Sequence, residues 1–268
     1  KAEIAGSKTQ NEQKVLSSSL KDYRNRRDSL TAIYRNPKIN DSLKKIISED
    51  LRIIYDSHTL IEQDFIKNNP KSYVSANLID VFSTTFGRKK TKELYGLLSD
   101  NLKSSSYGKN INRYLSLNKN LKIGDKYVDF SMSNEKGKLI SLSDFEGKLI
   151  LLDFWASWCG PCIKEYPALK NAYSEFSKNN FEIVSLSQDR SKKSWLKAIE
   201  KNELNWINLW NKNGDNADAY LIYGINGIPD NFLIDENGII VARNLRGEKL
   251  IETIKLNLKK PAGNTRYN

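Results

Sequence analysis

A chain of 268 residues, 39% apolar and 28% charged, is long enough for two domains and too rich in core-forming residues to be disordered. It contains no run of eighteen apolar residues, which argues against a membrane-spanning helix within it, and its two cysteines are too few for a disulfide scaffold. The net charge of +11 is uneven: residues 1–120 hold 22 Lys and Arg against 13 Asp and Glu, whereas residues 121–268 hold 21 against 19. The basic residues are scattered along amphipathic patterns with no aromatic platform or nucleic-acid motif, so they read as solvated helix faces rather than a nucleic-acid surface. The sequence opens at Lys1 without Met or an apolar leader, as either a removed signal segment or a trimmed chain would produce.

Residues 1–14 are polar and read as a frayed end or the tail of an upstream element. Leu16, Leu20, Tyr23, Leu30 and Tyr34 then recur at helical spacing, interrupted by Arg27, until Asn36-Pro37 breaks the pattern. Asn40-Asp41-Ser42 offers caps for a second helix, whose long apolar face runs Leu43, Ile47, Leu51, Ile54, His58, Ile61, Phe65. The two are expected to pair as an antiparallel hairpin. His58, alone on or beside that stripe, reads as a packing or surface residue. Pro70 restarts a helix over 71–86, which Gly87 would end. Residues 90–102 carry a further leucine stripe, and Ser104-Ser105-Ser106 caps a last short helix. Residues 1–119 thus read as a helical accessory domain of four or five helices, for docking, spacing or dimerisation.

The composition changes at Leu121. Asn134-Glu135-Lys136-Gly137-Lys138 is a hairpin turn between short strands at about 129–133 and 138–141. Leu149 to Trp155 reads as a buried strand, followed by the tight turn Ser157-Trp158-Cys159-Gly160-Pro161-Cys162 and a helix whose first turn contains Cys162 and which runs to about 179. Pro167 should kink it. Beyond it, strands are expected at 181–187, 206–210, from Gly227 to Asp235 and at 239–243, the last two joined by a turn at Glu236-Asn237-Gly238. Helices are expected at 191–201, 215–223 and 250–258, with a polar tail at 261–268. Strands alternating with helices, and a terminal hairpin, predict a three-layer α/β sandwich around a mixed sheet.

Both cysteines lie in one turn with two residues between them, so one sulfur can reach the other. Cys159 sits where the free N–H groups of the helix point, which stabilises a thiolate. A thiolate there can attack a partner's disulfide, and Cys162 is placed to resolve the mixed disulfide. The competing readings are a structural staple or half of a zinc site. Zinc needs four ligands, which two cysteines and the distant His58 do not supply. A staple closing so short a loop would add little stability. Redox chemistry is the better reading, with the Cys159–Cys162 pair itself as the redox group and no further cofactor or metal.

The string Asp153-Phe154-Trp155-Ala156-Ser157-Trp158-Cys159-Gly160-Pro161-Cys162 resembles the active site of the thioredoxin superfamily. Ile123 to Phe130, Ser141 to Lys148 and Ile228 to Asp235 narrow that resemblance to TlpA/ResA-like thiol–disulfide oxidoreductases of Bacteroidetes type, over 121–259. It implies a thioredoxin-like sandwich with an upstream β-hairpin over residues 120–260, preceded by the all-α domain over 1–119. It also implies that Cys159 is the exposed, acidic nucleophile and Cys162 the buried resolving thiol. Gly160 and Pro161 set the turn, and Trp158 shields the pair and rims a site for a partner peptide. Pro229 matches the family's cis proline facing the disulfide, bringing the Ile228 backbone to the sulfurs. Asp153 matches the buried acid of thioredoxin, a general base for Cys162, and Glu165 matches a glutamate that tunes the cysteines. Thr often stands where this chain has Ile228, and Asp230 is also a departure.

The resemblance implies an enzyme that reduces disulfides of extracytoplasmic, periplasmic client proteins, apocytochrome c among them. It would be recharged by a membrane thiol electron donor and anchored to the membrane upstream of residue 1, with a homodimer through the helical domain as one use of that domain. Three alternatives stay open: an oxidase or isomerase, a thiol peroxidase sharing the upstream hairpin, and a binding module with a vestigial CxxC. The peroxidase would need a PxxxTxxC segment, which this chain lacks. The Cys-Gly-Pro-Cys turn favours reduction.

Overall fold

The structure is a computed structural model that describes residues 7–214 and 217–258. The chain divides into two compact units, Lys1–Ser116 and Leu117–Asn268. The described part of the first is entirely helical, with seven helices: α1 (Lys8–Ser19), α2 (Lys21–Tyr34), α3 (Asp41–Asn68), α4 (Tyr73–Val81), α5 (Ser83–Leu97), α6 (Asp100–Ser104) and α7 (Ser106–Leu117). Helix α1 begins well ahead of the apolar stripe that opens at Leu16 because Ser7 and Gln10 form a reciprocal capping box, which satisfies backbone donors at its N-terminus. The region expected to be one helix over 71–86 is broken at Phe82. Gly87 lies at a kink inside α5 with φ 72°, a conformation that costs glycine little, and the Thr91 hydroxyl donates to the Ser83 carbonyl across it. This unit's core gathers Leu16, Ile66, Ile79, Leu94, Leu102 and Ile111. Helix α3 packs against α2 and turns Ile47, Ile54 and Ile66 inward. Glu62 is buried on α3 as well, 3.5 Å from His58 Nδ1, and burial pushes its carboxyl up to about 7.

The second unit begins at Leu117, ahead of the composition change at Leu121. Asn118 Nδ2 donates to the Leu221 carbonyl and Lys119 N to that of Ile222, so residues 117–119 belong with the C-terminal unit. Its strands are β1 (Ser131–Ser133), β2 (Leu139–Ser141), β3 (Leu149–Trp155), β4 (Phe181–Ser187), β5 (Ile207–Trp210), β6 (Asp230–Ile234) and β7 (Ile240–Arg243). They form one seven-stranded mixed sheet in the order β2-β1-β5-β4-β3-β6-β7. Strand β3 pairs parallel with β4 and antiparallel with β6, and β4 is parallel to β5. Helices α8 (Gly160–Phe176), α9 (Lys192–Asn202), α10 (Asp218–Tyr223) and α11 (Gly247–Leu258) complete it. The start of the helix expected over 215–223, and the tail expected at 261–268, lie outside the described residues.

All seven residues of β3 are buried, because the sheet is covered on both faces. Alternation along the strand divides them. Ile150, Leu152 and Phe154 join a core with Tyr220, Tyr223 and Phe232, where Phe154 meets Tyr220 edge-on at 5.0 Å. Leu149, Leu151 and Trp155 join the opposite core, with Tyr166 and Leu169 of α8 and Leu250 and Ile254 of α11. Two cores on two faces of one sheet make the three layers. Burial of each large apolar side chain here contributes about 1.5–3 kcal/mol. Among the described residues no helix is long and apolar enough to cross a membrane.

Candidate active site

The site lies where β3 hands over to α8. Residues 156–159 turn the chain, and Cys159 is the N-cap of α8: its sulfur accepts the backbone N–H of Cys162 at 3.1 Å. Gly160 and Pro161 occupy the exposed first turn, where the N–H that proline lacks would be unpaired in any case. Cys159 and Cys162 are joined in a disulfide. The expected contrast in exposure between them is slight, 4% against 2%, because both side chains sit in the α8 and α11 core. Trp158 is 65% exposed beside them and rims a groove of about 530 Å³ that is also lined by Gln188, Arg190 and Ser194. Pro167 lies inside α8.

Asp153 is buried on β3, on the same face as Leu151 and Trp155 and hence on the side of α8. Burial pushes its carboxyl up to about 7, against the opposing pull of the Ser185 hydroxyl at 3.2 Å and the positive charge of Arg246. Asp230 and Glu165 push in the same direction as burial. The Ile228–Pro229 peptide bond is cis, and Ile228 packs against both cores, one of which holds the two cysteines. Glu165, three residues beyond Cys162, does not turn to the sulfurs for its hydrogen bond: its Oε2 accepts the N–H of Gly247 at 3.0 Å, at the start of α11.

Several neighbours of the site escape sequence reading. Asp189, at the end of β4, is buried and accepts from Ser157 and Ser187, which ties the turn before Cys159 to the next strand. Arg246 donates to the carbonyl of Pro229 and, at 2.6 Å, to that of Leu245. Asn231 is buried beside the proline and exchanges two side-chain hydrogen bonds with the Leu245 backbone. Asp230, on the other face of β6, forms an ion pair with Arg243 at 2.6 Å, whose guanidinium lies 4.5 Å over the Phe232 ring. In the sequence these are ordinary polar residues of strands and loops, Asp230 alone standing out as a departure from the family pattern, and most of their partners here lie on other elements, 13 to 32 residues away. Among the described residues no group of three or more His, Cys, Asp or Glu comes together to hold a metal ion.

A Cys-x-x-Cys disulfide at the N-terminus of the helix after the central strand, with a buried acid on that helix's side of the strand and a cis proline, defines a thioredoxin-like redox domain. Comparison with known proteins narrows that class. Residues 123–243 match the AhpC/TSA family. The chain is 31% identical over 147 residues to thiol–disulfide oxidoreductase ResA of Bacillus cereus, covering 55% of this chain and 83% of that protein. It is 33% identical over 120 residues to the thioredoxin-like protein YneN of Bacillus subtilis, covering 44% of this chain and 68% of that one. Among solved structures, the thioredoxin domain of a thiol–disulfide oxidoreductase from Bacteroides vulgatus shares 36% identity at a TM-score of 0.50, covering 52% of this chain and 99% of that domain. The chain belongs to the ResA/TlpA-type thioredoxin-like thiol–disulfide oxidoreductases.

Proposed function

We propose that the protein reduces disulfides of extracytoplasmic client proteins by dithiol exchange at Cys159 and Cys162. The observation that carries this reading is the N-cap position of Cys159: the sulfur lies at the positive end of α8 and already accepts a backbone N–H, both of which favour its thiolate. In the reduced enzyme the Cys159 thiolate attacks one sulfur of a client disulfide, forms a mixed disulfide and releases the first client thiolate. Cys162 then gives its proton to the Asp153 carboxylate and attacks the Cys159 sulfur, which releases the second client thiolate. The client gains two electrons and the enzyme is left as the Cys159–Cys162 disulfide. Protonation of the released thiolates, one of them by Asp153, completes the balance.

The cis proline loop, Ile228 and Pro229, would receive the client backbone, with exposed Trp158, Gly160 and Pro161 as the rim. Glu165 acts in this reading through Asp153, whose carboxyl it pushes up, and through the start of α11, which it holds. A thiol donor at the membrane would return the electrons. Apocytochrome c, with paired cysteines that must be reduced before haem attachment, is a client of the right chemistry. The helical unit, Lys1–Ser116, would serve docking, spacing or self-association, and a periplasmic setting with an anchor upstream of residue 1 suits such a pathway.

The test is the equilibrium reduction potential of the Cys159–Cys162 pair, measured by thiol trapping in defined redox buffers. A value at or below about −250 mV is expected of a reductant, and a value near about −120 mV would make the protein a disulfide donor instead.

A further inference from the structure

Four buried polar residues stand in one row across the sheet: Asn231 of β6, Asp153 of β3, Ser185 of β4 and Asn208 of β5, each in register with the next. They share the face that carries Leu151, Ile183 and Leu233, the side of α8. Ser185 is a hydroxyl 1% exposed in the middle of a largely apolar strand. Burying a hydroxyl is costly unless it is hydrogen-bonded. Here it is bonded on two sides. The indole Nε1–H of Trp206 donates to its oxygen at 2.8 Å, and the hydroxyl donates in turn to Asp153 Oδ2 at 3.2 Å. Trp206, just ahead of β5, is itself held in place. Its side chain is buried, its ring meets that of Tyr173 on α8 edge-on at 5.9 Å, and Asn208 Nδ2 donates to its carbonyl at 2.9 Å.

An indole N–H can only donate. The Ser185 oxygen therefore accepts on that side, and its single proton is left for the Asp153 carboxyl. A chain of donors that ends on a carboxyl favours the charged form of the acid. We infer that Trp206 is a positioning residue of the dithiol site that acts through Ser185: it turns the Ser185 proton onto Asp153 and so presents that acid ready to take the proton of Cys162. Neither residue belongs to the motif around the cysteines. Of the other groups around the carboxyl, Arg246 ahead of α11 favours its charged form, whereas Asp230 of β6 and Glu165 of α8 oppose it. The Tyr166 phenol of α8 is pushed up by burial and is neutral near pH 7. None of these groups is altered by a substitution at 185 or 206, so a shift in such a variant belongs to the hydrogen-bond chain.

This role rests on Asp153 being the acceptor of the Cys162 proton, so its test reads the carboxyl and the indole rather than turnover. In the oxidised full chain the Asp153 carboxyl is followed by ¹³C NMR, and the Trp206 indole N–H by ¹H–¹⁵N correlation, as the pH is raised. The indole signal is expected to shift with the same midpoint as the carboxyl, and to lose that response in Ser185→Ala, where the link is cut. Ser185→Ala should raise the Asp153 midpoint by about half to one pH unit, the scale of one hydrogen bond to a carboxylate. Trp206→Phe keeps an aromatic ring and removes the donor, and should raise it by about 0.3 unit or more. Three results overturn the proposal: a wild-type indole signal that ignores the Asp153 midpoint, a response that persists in Ser185→Ala, or an unmoved midpoint in a folded Trp206→Phe protein. The last is what a merely structural pair would give. Should a variant not fold, the wild-type coincidence of midpoints and the remaining variant decide in the same sense. Failure of the exchange mechanism shows elsewhere, in an Asp153→Asn variant that resolves mixed disulfides at the wild-type rate whatever the titrations find.

Discussion

The buried carboxylate of Asp189 accepts both the backbone N–H of Ser157, at 2.8 Å, and its hydroxyl, at 2.6 Å. A third donor, the Ser187 hydroxyl, lies at 2.7 Å. The turn that presents Trp158 and Cys159 is thus pinned to the end of β4 by a charge-assisted cluster. Asp189→Ala strands these donors in the interior and is expected to cost about 2–4 kcal/mol of stability in urea unfolding, with a fall in disulfide exchange as the turn loosens. A loss below about 0.5 kcal/mol would mean the cluster holds nothing in place.

Assignment of the two sulfurs is checked by trapping. Cys162→Ser should accumulate a mixed disulfide between Cys159 and a client or a small disulfide, visible by mass spectrometry, because nothing remains to resolve it. Cys159→Ser should form no such adduct at neutral pH. Faster adduct formation through Cys162 would reverse the roles.

Asp153 sets a pH dependence whose sign is fixed by its folded and unfolded values. Folding raises this acid from an ordinary 3.8 to about 7. The native state therefore holds a proton that the unfolded chain has lost, and stability falls as pH rises from about 4 to about 7, then levels. Asp153→Asn removes that penalty. It should gain up to about 4 kcal/mol over the wild type at pH 8 and nothing at pH 3, in denaturant melts of the oxidised protein. Equal gains at both values would rule out titration as the cause.

Glu165→Ala should lower the midpoint at which the Asp153 carboxyl titrates, followed by ¹³C NMR in the oxidised full chain, because it removes a negative charge that pushes that carboxyl up. The N–H of Gly247 loses its acceptor at the start of α11, at a cost of about 1 kcal/mol. A raised midpoint would show that Glu165 reaches Asp153 by displacing α11 rather than by its charge.

The course of the second unit is legible in the sequence because its elements announce themselves locally. Phe181 to Ser187 forms β4 over its full expected length, and Leu149 to Trp155 forms β3, since each is a short, largely apolar run bounded by polar turns. The helical unit is harder to divide. Its amphipathic stripes continue across Leu20 and Phe82, where the backbone breaks without Pro or Gly to mark the place. The early start of α1 is legible in principle from Ser7 and Gln10, a capping pair ahead of the apolar stripe that opens at Leu16.

What the sequence determined by itself is the chemistry held within one turn of chain. Cys159 and Cys162 are three residues apart, and a strand before them and a helix after them suffice to place one sulfur at the helix N-terminus. Asp153 is joined to them in the sequence only by the resemblance to thioredoxin; that it lies on the α8 side, with Leu151 and Trp155, is a fact of the structure. Only the tertiary structure decided what surrounds that pair. Ser157 and Asp189 are 32 residues apart, Arg246 and Pro229 are 17 apart, and Glu165 and Gly247 are 82 apart. A hydrogen bond between distant residues leaves no periodicity in the chain. It exists because the sheet brings the ends of β3, β4 and β6 together and lays α8 and α11 over them, and those pairings are settled by burial of the whole core rather than by any single residue.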